Sequence, residues 1–216
     1  MNNVAIVGAG PSGSNCAYEL TQLGIYPIIF DHSHPREKPC GGMVSSTMYD
    51  LFPIFRNCRV KHSERTFMRV ISPNGRTTMV HYKKNRLFGF SRSNLDQYLL
   101  KMAVKEGTKL ITERVVGLEP KCGWWKVRTQ KQSYAVKTLV GADGINSLVR
   151  RNTTGPLRKE DKGVCFGYFI KGLENEDIII KFLPKSKGYL WLVPRVEDAS
   201  VGGGTAEGRQ DNPSAV

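Results

Sequence analysis

The segment Val4-Ala-Ile-Val-Gly-Ala-Gly-Pro-Ser-Gly13 constrains this chain more than any other. A short apolar run breaks at Gly8, Gly10 and Gly13, then resumes at helical spacing through Tyr18, Leu20 and Leu23. A second apolar run, Ile28-Ile-Phe, ends on Asp31. Strand, glycine turn, helix, strand and acid in that order predict the βαβ unit of a dinucleotide-binding fold. Gly8 permits the tight turn, Gly10 admits a pyrophosphate to the backbone, Pro11 and Ser12 open the helix, and Gly13 lets it pack closely on the sheet. The helix N-terminus, with unpaired N–H groups and about half a positive charge, attracts the phosphates. Asp31 is expected to accept both hydroxyls of an adenosine ribose and to repel a 2′-phosphate. These residues alone leave NAD and FAD open.

The chain has 216 residues, enough for about one to two domains. No apolar run approaches the ~20 residues of a membrane span, and the first strand starts too near Met1 for a signal peptide to precede it. The five cysteines, Cys16, Cys40, Cys58, Cys122 and Cys165, are scattered without CxxC spacing. That pattern predicts a reduced, cytoplasmic protein with neither a disulfide framework nor a metal site. The net charge of +13 is spread out, with short clusters at Lys83-Lys84 and Arg150-Arg151. No nucleic-acid module is legible, so no nucleic-acid partner is expected. Peripheral contact with anionic lipid headgroups, binding of phosphorylated substrates and a merely solvated basic surface all fit such charge.

Beyond the first unit, His32–Met43 is a loop in which Lys38-Pro-Cys-Gly-Gly42 sets a thiol beside two glycines. Gly41 and Gly42 would let backbone pass flat against a ligand with Cys40 nearby. The alternative is a half-buried cysteine in a tight turn. Ser45–Leu51 reads as a short helix stopped by Pro53, and Arg65–Tyr82 as a hairpin around Pro73-Asn74-Gly75. After a strand at Leu87–Ser91, a helix opens at Arg92, with Leu95, Leu99, Met102 and Ala103 on one face and Ser93 and Asp96 as a capping pair. Arg92 at this junction is placed either to reach a phosphate or flavin side chain or to lie at the surface. Lys109–Thr112 is a candidate parallel strand. Val115–Leu118, Trp124–Thr129 and Ser133–Val136 form a meander, and Thr138–Arg151 repeats the opening logic of strand, glycine, acid and helix through Asp143-Gly144.

The glycine-rich start, the helix opened by Arg92, the meander and Gly141-Ala-Asp-Gly-Ile-Asn-Ser-Leu-Val-Arg150 together resemble the FAD-dependent oxidoreductases of the glutathione reductase type, in the branch of the aromatic hydroxylases. The resemblance implies FAD, contacted by Gly8, Gly10, Pro11, Ser12, Gly13, Asp31, Arg92, Val115, Asp143 and Gly144. Two further stretches are similar to the geranylgeranyl reductase family. Lys38-Pro-Cys-Gly-Gly42 resembles its cysteine–glycine loop beside the flavin, adding Cys40, Gly41 and Gly42 to the cofactor contacts. Gly188-Tyr-Leu-Trp-Leu-Val-Pro-Arg195, followed by Ser200-Val-Gly-Gly-Gly204, resembles its aromatic strand and the glycine-rich strand after it. There Tyr189, Trp191 and Pro194 would wall an isoprenoid pocket, whereas alternation alone assigns the rings to core packing.

The expected architecture is α/β: a three-layer (ββα) Rossmann-like FAD domain from residues 1–45 and 88–152, and an incomplete antiparallel-sheet substrate domain from 46–87 and 153–216. The implied activity is reduction of carbon–carbon double bonds in geranylgeranyl chains of a lipid or prenyl precursor, with NAD(P)H or another external reductant loading FAD. Cys40 would position the substrate or relay a proton. The resemblance ends near Gly204, before the second Gly-Asp motif of the family, so a separate polypeptide supplying the rest is one expectation. A truncated, non-catalytic flavoprotein fragment is another. An FAD monooxygenase or halogenase of aromatic substrates shares the nucleotide motifs but lacks the Cys-Gly-Gly loop.

Overall fold

In the computed structural model, which describes residues 2–82, 85–173 and 177–206, the opening apolar run forms β1 (Asn2–Val7) and the helical pattern α1 (Pro11–Gln22). Pro11 suits the first helical position, where its missing N–H would have no partner in any case. β2 (Ile28–Phe30) follows, then β3 (Met43–Ser45) and α2 (Thr47–Leu51), which stops before Pro53. β4 (His62–Arg65) precedes the hairpin of β5 (Phe67–Ile71) and β6 (Thr77–His81). β7 (Leu87–Phe90) runs into α3 (Arg92–Lys105), and β8 (Lys109–Ile111) comes next. The meander is β9 (Val115–Lys121), β10 (Trp124–Thr129) and β11 (Ser133–Gly141). After α4 (Leu148–Thr153) come β12 (Gly163–Ile170), β13 (Ile179–Phe182), β14 (Gly188–Pro194) and β15 (Ala199–Ala206). The basic pair at Lys83-Lys84 and the polar tail from Gln210 lie outside the described residues.

Two compact units emerge, each built from three segments. The first comprises Met1–Glu37, Ile54–Cys58 and Arg92–Pro156. Its strands run in the order β8-β2-β1-β11-β10-β9, with β8, β2, β1 and β11 mutually parallel. β11 is one strand of nine residues rather than two short ones. Ser133–Val136 pairs antiparallel with β10, while Val136–Gly141 pairs parallel with β1. Alternation along β1 separates two cores. Ile6 joins Ile29, Ala17, Leu100 and Ala103 on the helical side. Ala5 and Val7 join Phe30, Leu118 and Val127, so the meander covers the other face. Helix, parallel sheet and meander make the expected three layers.

The second unit comprises Lys38–Pro53, Arg59–Ser91 and Leu157–Val216. The Cys-Gly-Gly loop, expected with the first domain, belongs here, and the turn at 54–58 belongs to the first unit. A six-stranded sheet runs β12-β15-β14-β13-β5-β6, beside a three-stranded sheet β3-β7-β4. The large sheet departs from the antiparallel expectation at one place: β13 pairs parallel with β5. On one face, register lines up Cys165, Gly167 and Phe169 of β12, Ser200, Gly202 and Gly204 of β15, Tyr189, Trp191 and Val193 of β14, and Ile180 and Phe182 of β13. A Cβ at Gly202 would fall 2.3 Å from the Trp191 ring, so the glycine strand exists to seat the indole.

Candidate dinucleotide site

The three motif glycines answer to different constraints. Gly8 has φ +101°, and a Cβ there would lie 2.4 Å from the Ala142 carbonyl oxygen. The turn therefore crosses tightly under the chain leaving β11. At Gly13 a Cβ would lie 1.8 Å from the Gly8 carbonyl oxygen, which closes the first helical turn onto its own loop. Gly10 is open: a Cβ would meet nothing nearer than His34 Nε2 at 3.5 Å. Gly10 also occupies the N-cap of α1 and has no side chain to satisfy the first N–H groups, which leaves them to an anion. Ser12 lines a cleft of about 300 Å3 with Gly141, Ala142, Asp143, Gly144, Ser147 and Arg150. Arg150 Nη2 donates to the Ile145 carbonyl, while its buried Nη1 has no hydrogen-bond partner among the described residues. A phosphate is the kind of group this cleft accepts.

The acids expected on the cofactor are occupied by the protein. Asp31 Oδ2 accepts from Ala9 N at 2.7 Å and His34 Nδ1 at 2.8 Å. Its Oδ1 accepts from Ser33 N at 2.7 Å, His34 N at 2.9 Å and Ser33 Oγ at 3.2 Å. Five donors meet a carboxylate with about four lone-pair sites, so Asp31 holds the glycine turn to the loop after β2 and does not stand open to a ribose. Burial opposes its ionisation. The hydrogen bonds from the His34 ring and from the Ala9, Ser33 and His34 amides outweigh that and hold the carboxyl well below the usual range. Asp143 is likewise engaged, accepting from Ser147 Oγ and Leu148 N, both at 2.5 Å. It caps the start of α4, and Gly144 at φ +80° makes the turn.

Arg92 donates to both oxygens of Asp96, Nε to Oδ1 at 3.0 Å and Nη2 to Oδ2 at 2.9 Å. Asp96 is fully buried and serves Arg92 four residues earlier, instead of capping with Ser93 as expected. Val115 sits in the core with Phe30 and Val127, so its side chain packs against the protein itself. The residue that sequence reasoning missed is His34. Its side chain is 7% exposed and lies between Asp31 and Asp96, with Nε2 3.9 Å from Asp96 Oδ2. The Asp-His-Ser-His run that follows β2 was the available signal.

In the second unit, Cys40 Sγ accepts weakly from Gly42 N at 3.4 Å, and the Cys40 carbonyl accepts from Ser200 Oγ at 2.9 Å. Ser200 Oγ accepts in turn from Trp191 Nε1 at 3.1 Å. Cys165 Sγ donates to the Pro39 carbonyl at 3.3 Å, and burial pushes its thiol up, with Cys40 adding to the shift. The loop glycines fit the protein itself rather than an expected ligand. A Cβ at Gly41 would lie 2.9 Å from Val193 Cγ2, and one at Gly42, where φ is +70°, only 2.1 Å from the Phe90 carbonyl oxygen. Trp191 is buried with Leu87, Ile178 and Val193, a packing residue of this core. Tyr189 is 44% exposed and continues an aromatic row, 6.0 Å from Trp191 and 6.3 Å from Phe182 between ring centroids. The Pro194 carbonyl accepts from Ser63 Oγ at 2.5 Å, which ties β14 to β4. The structure thus brings Cys40, Trp191 and Tyr189 to one face of one sheet, and Gly10, Ser12, Asp31 and Asp143 to one end of the parallel strands.

Comparison with known proteins agrees with this geometry. The FAD binding domain family matches residues 1–174. An uncharacterised protein of Methanosarcina barkeri is 29% identical over 97% of the chain and 55% of its own length. The digeranylgeranylglycerophospholipid reductase of Methanococcus vannielii is 27% identical over 95% of the chain and 56% of its own length. The geranylgeranyl diphosphate reductase of Rhodobacter capsulatus is 27% identical over 93% and 54%. A geranylgeranyl bacteriochlorophyll reductase-like protein from Thermoplasma acidophilum superimposes with a TM-score of 0.77 at 20% identity, over 94% of this chain and 56% of that one. The halogenase PltM matches the fold equally, with a TM-score of 0.77 at 14% identity over 95% and 51%. The chain spans about half the length of these relatives.

Proposed function

Because the chain belongs to the FAD binding domain family, we propose that it serves FAD-dependent reduction of carbon–carbon double bonds in prenyl chains. Relatives bearing geranylgeranyl reductase names, at 27% identity, support that substrate class. The observation that carries the reading is the hydrogen-bonded line from Trp191 through Ser200 to the Cys40 carbonyl, which fixes a thiol-bearing loop beside an aromatic row. An apolar row next to a polarisable thiol suits an isoprenoid chain. The net charge of +13 further suits a visit to an anionic lipid surface. No helix among the described residues is long and apolar enough to cross a membrane.

Bound at this site, FAD would supply the hydride-transfer chemistry, with NAD(P)H or another external donor as its reductant. The chain's own residues bind, orient and protonate. The α1 N-terminus and the open backbone at Gly10 hold the pyrophosphate, and Arg150 adds positive charge in the adjacent cleft. Asp31 and Asp143 fix the two turns that shape this end of the sheet. Tyr189 presents its exposed ring to the prenyl chain with the buried Trp191 beside it, and the Cys40 thiol gives a proton to an alkene carbon and regains one from solvent.

The test is anaerobic incubation of the purified chain with FAD, dithionite and either geranylgeranyl diphosphate or digeranylgeranyl glycerophospholipid, read by mass spectrometry. A gain of two hydrogens per reduced double bond is expected, slowed in Cys40→Ala. Flavin retained without any reduced prenyl product refutes the substrate assignment. Oxygen-dependent hydroxylation of an aromatic probe would replace it.

A further inference from the structure

We propose that His34, through Nε2, is the direct acceptor for a hydroxyl of the adenosine ribose of FAD, and that Asp31 acts only by positioning it. The first observation is that Asp31 is saturated: its two oxygens already serve Ala9 N, Ser33 N, Ser33 Oγ, His34 N and His34 Nδ1. The second is that His34 Nε2 is buried without a hydrogen-bond partner, on a side chain only 7% exposed. A buried polar atom left without a partner is costly, and native structures rarely keep one without a reason. The third is direction. The atom nearest the open space at Gly10 is this same Nε2, 3.5 Å from where a Cβ would sit. Gly10 is where the dinucleotide approaches the backbone.

The tautomer follows from the partner. Asp31 is held ionised and can only accept, so Nδ1 carries the proton of that 2.8 Å bond. In the neutral ring Nε2 is then an acceptor. An acceptor suits a ribose hydroxyl, which has a proton to give, and not a phosphate oxygen, which has none. It also disfavours a 2′-phosphate, the discrimination expected of Asp31 itself. Asp96 Oδ2, itself bound to Arg92 Nη2 at 2.9 Å, lies 3.9 Å from the same Nε2, beyond hydrogen-bond reach, so it leaves that atom without a partner from the protein.

This inference rests on bound FAD alone and stands or falls independently of the prenyl substrate. His34→Asn keeps an N–H donor near the Nδ1 position for Asp31 but removes the reach of Nε2. Calorimetric titration with FAD is expected to show roughly tenfold weaker binding for His34→Asn, the upper end for one neutral hydrogen bond. FAD analogues carrying 2′-deoxy- or 3′-deoxyadenosine separate the cause. Wild type is expected to lose affinity for one of them, and His34→Asn to bind FAD and that analogue alike. In wild type, the 15N resonance of His34 Nε2 should move on FAD addition while Nδ1 stays protonated, a readout that needs no variant to fold. Unchanged FAD affinity in a folded His34→Asn, equal losses for FAD and both analogues, a static Nε2 resonance, or no FAD uptake by wild type each overturn the proposal.

Discussion

Asp31→Asn measures how far the cofactor loop depends on one carboxylate. The substitution is nearly isosteric, so it opens no cavity. It removes the charge and turns one acceptor into a donor. Whichever way the amide faces, an NH2 group meets either Ala9 N and His34 Nδ1 or Ser33 N and His34 N. A hydrogen bond to a charged group contributes about 1.5–3 kcal/mol, so two lost bonds cost about 3–6 kcal/mol. The imidazole can shift its proton to Nε2 and accept, whereas the Ala9 amide cannot, which favours the lower part, about 3–4 kcal/mol. At roughly 2–4 °C per kcal/mol for a chain of this size, the melting temperature should fall by roughly 6–16 °C. The pH dependence carries a sign. The folded carboxyl titrates below its unfolded value, near 3.9. Its stabilisation is therefore complete above that pH and is lost as the pH falls below it. Calorimetric melts at neutral and acid pH should show wild type losing stability on acidification and Asp31→Asn losing less. A variant melting within about 2 °C of wild type at neutral pH, with the same acid profile, refutes the staple.

Other perturbations probe other joints. Gly42→Ala places a Cβ 2.1 Å from the Phe90 carbonyl oxygen at φ +70°, so urea unfolding should show a loss of roughly 2–5 kcal/mol from strain and overlap combined. Ser200→Ala removes the link between Trp191 Nε1 and the Cys40 carbonyl, and should cost about 1–3 kcal/mol and speed hydrogen exchange at the Gly42 amide. Tyr98 donates to the Ile54 carbonyl at 2.8 Å, and burial, with Cys58 and Tyr18 nearby, pushes its phenol up to about 12. Its stabilisation is complete below the unfolded value near 10 and is lost as the pH rises through about 12. Tyr98→Phe should flatten that alkaline limb of the stability profile.

What was legible in the chain was whatever rests on local pattern. The βαβ unit, the hairpin at Gly75 and the parallel strand at Lys109–Ile111 follow from periodicity and turn chemistry, and each forms. The roles of the polar residues were less legible, because they depend on partners distant in sequence. Asp31 reads as a ribose ligand until Ala9, 22 residues away, is found on its carboxylate. His34 has no periodic context, and its position is defined by Asp31 on one side and Asp96 on the other. Trp191 has the alternation of a core residue and proves to be one, yet its link to Cys40 through Ser200 crosses 160 residues and leaves no local trace. The parallel pairing of β5 with β13 is non-local in the same sense.

Equilibrium dialysis of the purified chain against FAD, followed by an absorbance spectrum, tests the central claim most directly. Retention near one FAD per chain with a perturbed flavin spectrum is the predicted result. Flavin that equilibrates freely across the membrane, leaving a colourless folded protein, contradicts it.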